Sequence, residues 1–164
     1  MNFHDSIDAK ILSLRQLAER LALLRQHRPK PVVVFTNGCF DLVHQGHVDY
    51  LSRARDLGDL LIVGLNSDAS VRRLKGDSRP VSNETSRARV LASFAFVDYV
   101  VVFEDDTPLK LIESIVPDIL VKGGDYNREN VVGADFVEQH GGRLELLSLV
   151  PGESTTRLVE RIKL

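Results

Sequence analysis

Cysteine occurs once in the 164 residues, tryptophan not at all, and aromatic side chains make up only 6% of the chain. A lone thiol, Cys39, excludes an intrachain disulfide and any zinc framework built on cysteines. Neither sign of charge dominates: 21 Lys+Arg stand against 23 Asp+Glu, for a net charge of −2. The broad basic surface required for non-specific nucleic-acid binding is therefore missing. No apolar run approaches the roughly 18 residues that span a bilayer. Asp5 and Asp8 interrupt the start, where a secretory signal would carry its apolar stretch. The expectation is a cytoplasmic protein with neither a nucleic-acid nor a membrane partner. Three well-marked signatures are absent as well: G-x-G-x-x-G after the first strand, G-x-x-x-x-G-K-[ST] anywhere, and H-E-x-x-H. His44 and His47 span a turn, and His4, His27 and His140 are distant in sequence, so no protein-held metal is expected.

What is present is an ordinary globular composition, 43% hydrophobic, in a chain long enough for one core. Apolar residues at Ile7, Ile11, Leu14, Leu17, Leu21 and Leu24 predict one helix over 6–27, with Asp5 or Ser6 as N-cap. Arg28-Pro29-Lys30-Pro31 ends it, so residues 1–30 read as a helical extension ahead of a main domain over 31–164. Its apolar stripe suits packing on its own domain or a homodimer contact. Strands are predicted near 32–36, 60–65, 97–103, 119–121 and 143–149, of which Leu60 to Leu65 is a continuous apolar run. Helical patterns fall between them, with Thr107-Pro108 opening one helix and Pro117 closing it; a terminal helix is predicted after Pro151. Such alternation predicts an α/β fold, a Rossmann-like doubly wound parallel sheet with helices on both faces. Ligands of these folds bind beyond the carboxyl ends of the strands.

The densest signal is Val32 to His47, in which a β-branched run enters a small-residue turn and then a helix start flanked by two histidines. Free N–H groups and the positive end of the helix dipole favour an anion there. The same two rings can instead serve only as helix caps. The chemistry suggested is the seating of a nucleoside triphosphate.

Gly38-Cys39-Phe40-Asp41-Leu42-Val43-His44-Gln45-Gly46-His47 resembles the G-x-F-D-x-x-H-x-G-H signature of the cytidylyltransferase-like nucleotidyltransferases. Ser154-Thr155-Thr156-Arg157 resembles the S-T-T-x motif that this family places at its last helix. Asn66 to Ser70, Arg73 to Pro80 and Val121 to Tyr126 further resemble heptose 1-phosphate adenylyltransferases, both as domains of bifunctional ADP-heptose synthesis proteins and as stand-alone enzymes. With no sugar-kinase region in these residues, the likeness is to the stand-alone form.

The resemblance implies transfer of AMP from ATP, with Mg²⁺ on the triphosphate, to a sugar 1-phosphate. It implies catalytic roles for His44, His47, Lys75 and Arg87. Nucleotide contacts would come from Gly38, Cys39, Phe40, Gly46, Gly123, Asp125, Tyr126, Ser154, Thr155 and Thr156. Arg79 and Asp41 would face the sugar phosphate, although Asp41 can equally orient the turn through backbone bonds. Arg87 has a plain alternative as a surface helix charge, and Cys39 stands where the family commonly has a small hydroxyl residue. Competing readings are CMP transfer to glycerol or ethanolamine phosphate, and a nucleotide-binding module without turnover.

Overall fold

The computed structural model describes residues 2–124 and 127–148. The predicted terminal helix lies outside them. Five parallel strands form one sheet: Val33–Gly38 (β1), Leu60–Asn66 (β2), Tyr99–Phe103 (β3), Ile119–Gly123 (β4) and Arg143–Leu147 (β5), in the order β3-β2-β1-β4-β5. The doubly wound parallel sheet expected from the alternation is thus observed.

Alternating strand residues feed two separate cores. Val34, Leu61, Val63, Val100, Ile119 and Val121 point to one face, where Gln45–Arg55 (α3) and Glu84–Ala92 (α5) cover them with Tyr50, Leu51, Ala54 and Leu91. Val33, Phe35, Ile62, Val101 and Leu120 point to the other. That face is covered by Leu14–Leu24 (α2), Leu109–Ile115 (α6) and Ala134–Gln139 (α7). Burial on both faces is why these strands read as continuous apolar runs.

The helix after β1 packs on the first face and the helix after β4 on the second, so the strand order reverses between β1 and β4. The backbone ladder reflects this. β1 pairs with β2 along its whole length from Val33↔Leu60 to Gly38↔Leu65, but with β4 only at Val34↔Ile119 and Phe35↔Leu120. Beyond Phe35, side chains replace the ladder. The Tyr50 hydroxyl donates to the Val121 carbonyl at 3.2 Å and meets the Thr36 hydroxyl at 2.6 Å, and the Lys122 ammonium donates to the Asn37 amide oxygen. A crevice opens where the ladder stops, the position at which doubly wound sheets bind ligands.

One prediction fails at the start of the chain. Instead of one helix over 6–27 there are two, Phe3–Asp8 (α1), capped by Asn2, and α2, whose Ser13 and Gln16 form a reciprocal capping box. Between them Lys10 and Leu12 bond to Val100 in a single parallel bridge at Ile11, covering the outer edge of β3. A helical apolar period continues in sequence, but the exposed strand edge takes the backbone of Lys10–Leu12. Leu17 and Leu21 of α2 are fully buried in the second core. Helix α6 begins after Pro108 with no side-chain cap, so Thr107 does not fill its predicted role.

Candidate active site

The site is built on the turn from β1 to α3. Gly38 has no room for a side chain, because a Cβ there would sit 3.0 Å from the Phe40 ring. Phe40 adopts φ +42°, in the left-handed region that costs a non-glycine residue roughly 1–2 kcal/mol. Burial of its ring in the first core offsets that cost, and the ring edge packs on His47 with centroids 5.3 Å apart.

His44 is the N-cap of α3. Its Nδ1 accepts the Gly46 N–H at 3.1 Å, while His47 Nδ1 accepts the His44 N–H at 3.4 Å. The capping reading of the two rings is therefore observed. Because Nδ1 is the acceptor in each, the proton of each neutral imidazole is on Nε2, which becomes the donor. His47 is held neutral: burial, then the positive charges of His44 and Lys75, push its pKa down to about 4. The two rings, with centroids 4.0 Å apart, stand together at a helix N-terminus.

The turn is braced from behind by two ion pairs. Asp41 is almost completely enclosed and accepts from Val81 N at 2.8 Å, Ser82 N at 3.0 Å and Arg79 Nε at 2.5 Å. Burial pushes its carboxyl upward, but the Ser82 and Val81 N–H groups and the Arg79 guanidinium outweigh that and leave it below the ordinary range. Arg87, 1% exposed, donates to the Cys39 carbonyl at 2.6 Å, the Ser82 carbonyl at 2.9 Å and Asp68 Oδ1 at 2.7 Å. The surface-charge alternative for Arg87 is thus corrected: its guanidinium is buried behind the turn. Of the two readings of Asp41, the structure shows the turn-orienting one: both oxygens hold the 79–82 loop. Arg79 points into that pair.

A cleft opens in front of the turn. Gly38, Cys39, Phe40, Asp41, His47, Lys75 and Gly123 line it, so seven of the predicted residues converge. His44 joins through its contact with His47, and the Gly46 N–H bonds its ring. Lys75, the last residue of Asp68–Lys75 (α4), is exposed at the rim. Asp125, Tyr126, Ser154, Thr155 and Thr156 lie outside the described residues. Sequence reasoning missed Asn37, Tyr50 and Lys122, which also line the cleft. For Lys122 a signal existed: a lysine ending a buried apolar strand faces the crevice. Among the described residues no three His, Cys, Asp or Glu side chains group closely enough to hold a metal ion.

Comparison with known proteins matches residues 35–143 to the cytidylyltransferase-like family model. The chain is 59% identical to the bifunctional protein HldE of Citrifermentans bemidjiense over 155 residues, 94% of this chain and 31% of that protein. Its identity is 60% to HldE of Syntrophotalea carbinolica over 155 residues, again 94% and 31%. It is 52% to HldE of Campylobacter concisus over 162 residues, 99% and 33%. The chain thus spans about a third of the length of these relatives. The crystal structure of the lipopolysaccharide core biosynthesis protein from Thermoplasma volcanium superimposes with a TM-score of 0.61 at 22% identity, covering 75% of this chain and 99% of that one. That likeness supports the fold. Together with the paired histidines at the β1–α3 turn, the family match shows that the chain belongs to the cytidylyltransferase-like family.

Proposed function

We propose that this chain is an adenylyltransferase that joins ATP and D-glycero-β-D-manno-heptose 1-phosphate to give ADP-heptose and pyrophosphate. A phosphate oxygen of the sugar phosphate attacks the α-phosphorus in line. The new P–O bond forms as the bridge to the β-phosphate breaks, and pyrophosphate leaves. The attacking oxygen is already ionised near neutral pH, so positioning and charge neutralisation carry the rate. The observation that carries this reading is the reciprocal capping of α3, in which Nδ1 of both His44 and His47 accepts a backbone N–H and Nε2 is left as the donor beside the cleft. Lys75 reaches the phosphates from the rim, while Asp41, Arg79 and Arg87 act through the turn they hold.

Support for the sugar comes from the Arg73–Pro80 and Val121–Tyr126 runs and from 52–60% identity to HldE proteins. Mg²⁺ enters with ATP, held by phosphate oxygens and water, and neutralises phosphate charge. A cytoplasmic location belongs to the same reading, because the reaction consumes ATP; no described helix is long and apolar enough to cross a membrane. A homodimer belongs to the same reading and is checked by light scattering. Leu17 and Leu21 of α2 are already packed within the chain, so the contact would use another surface.

The test is pyrophosphate release with Mg²⁺, crossing ATP and CTP against β-heptose 1-phosphate, its α-anomer, glycerol 3-phosphate and ethanolamine phosphate. Turnover is expected only with ATP and the β-heptose phosphate, and is expected to be lost in His44→Ala. CTP turnover with a small alcohol phosphate would overturn the substrate. Binding of ATP without turnover in any combination would overturn the activity.

A further inference from the structure

The cleft contains a cation that the histidines and Lys75 leave without a task. Lys122 ends β4, half-buried, and its recorded hydrogen bond is to a neutral acceptor, the Asn37 amide oxygen. Continuing the β1–β4 register from Phe35↔Leu120 brings Asn37 and Lys122 side by side, so the bond closes the crevice floor where the ladder ends. Burial alone pushes the Lys122 pKa down to about 8; no described carboxylate pairs with it. A desolvated ammonium with donors to spare and no counter-ion is a binding site for an anionic oxygen.

Position decides which anion. Lys75 comes from α4, on the β2 side of β1, and its charge is felt by His47. Lys122 comes from β4, on the opposite side of β1. Among the described residues lining the cleft these are the two lysines, and they flank the β1 turn from opposite sides. In-line displacement requires the entering oxygen and the leaving pyrophosphate on opposite sides of the α-phosphorus. The helix N-terminus, the histidine donors and Lys75 serve the triphosphate, which leaves the β4 side for the acceptor.

We infer that Lys122, held by Asn37, binds the phosphate of the acceptor sugar phosphate and presents its attacking oxygen to the α-phosphorus. This rests on the proposed adenylyl transfer.

The test is steady-state kinetics of Lys122→Met and Lys122→Arg, together with calorimetric binding of β-heptose 1-phosphate in the presence of a non-hydrolysable ATP analogue. Lys122→Met is expected to raise KM for the sugar phosphate about 10- to 100-fold, as for a lost charge-assisted hydrogen bond. KM for ATP should stay within about threefold, and Lys122→Arg should recover part of the loss. In the wild type, kcat/KM for the acceptor should fall above about pH 8, and Lys122→Arg should abolish that fall. Cys39, Asp41, His47, Tyr50 and Lys75 face the same cleft and are unchanged in the variant, so a fall that persists in Lys122→Arg belongs to one of them and overturns the inference. An unchanged acceptor KM in Lys122→Met, or a rise in KM for ATP alone, also overturns it while leaving adenylyl transfer intact. If Lys122→Met does not fold, the Lys122→Arg pH profile decides. Wild-type protein that binds the sugar phosphate through Lys122 yet releases no pyrophosphate would overturn the activity and keep the binding role.

Discussion

Replacing Arg87 by Met removes a guanidinium and leaves the apolar stem in place. Three acceptors then lose their donor at once: the Cys39 carbonyl, the Ser82 carbonyl and the Asp68 carboxylate. Breaking a buried charge pair by deleting one partner costs about 3–5 kcal/mol. The Asp68 side chain is 23% exposed and can recover water, so the lower end, about 3 kcal/mol, is expected. Against a total stability of about 5–15 kcal/mol this is a large fraction. It corresponds to a fall in Tm of roughly 6–12 °C for a chain of this length. In urea, with a slope of about 2 kcal/mol/M, the midpoint should fall by roughly 1.5 M at unchanged slope. Arg87→Lys, with one point donor for three acceptors, should fall between Met and wild type. Pyrophosphate release by the folded Met variant should also drop, because the Cys39 carbonyl anchors the turn that carries Phe40 and the histidine cap. An Arg87→Met protein within about 1 kcal/mol of wild type would refute the assignment of Arg87 as the brace of this turn.

Three further outcomes follow from the same structure. His47 has a folded pKa of about 4, below its unfolded value, so the unfolded chain binds more protons between those pKa values; stability should be full above about pH 6.5 and decline toward pH 4, and His47→Gln should flatten that part of a urea-midpoint profile. Gly142→Ala would bring a Cβ to 2.7 Å from the Asp118 carbonyl oxygen and should cost about 1–3 kcal/mol in calorimetry, while activity at 25 °C is retained. Cys39 lines the cleft, so iodoacetamide should inactivate the protein, and ATP with Mg²⁺ should slow the reaction in a timed mass-spectrometric assay.

The sheet was legible because its central strands are buried on both faces and so appear as apolar runs, of which Leu60 to Leu65 is the clearest, whereas the edge strand β5 carries Arg143 and Glu145. The turn after β1 was legible because glycine, histidine and a strand-to-helix change coincide within ten residues. What could not be read was decided by tertiary partners. The period through Ile7, Ile11 and Leu14 is helical, yet Ile11 sits beside Val100 because β3 has an open edge. Arg87 has the sequence context of a solvated helix residue. Its burial depends on Asp68, Ser82 and Cys39 converging from three other segments. Asp41 was left between two roles for the same reason, since its partners lie about 40 residues away on a loop with no regular pattern. Lys122 was read only as part of a motif, although its place at the end of an apolar strand carried positional information.

The short β1–β4 ladder has a consequence for how the protein opens. β1 meets β2 after a connection of some twenty residues, but it meets β4 only after the chain has passed through β2, β3 and four helices. The two parts of the sheet, β3-β2-β1 and β4-β5, join along a line with two paired positions, tied further out by Tyr50 and Lys122. That line is the weakest continuous path through the sheet, so opening short of global unfolding should begin there. Amide hydrogens of β4 would then exchange faster than those of β2. Ligands that touch the His47 side and the Lys122 side together would act as a clasp across the two halves, slowing that exchange only when both are bound.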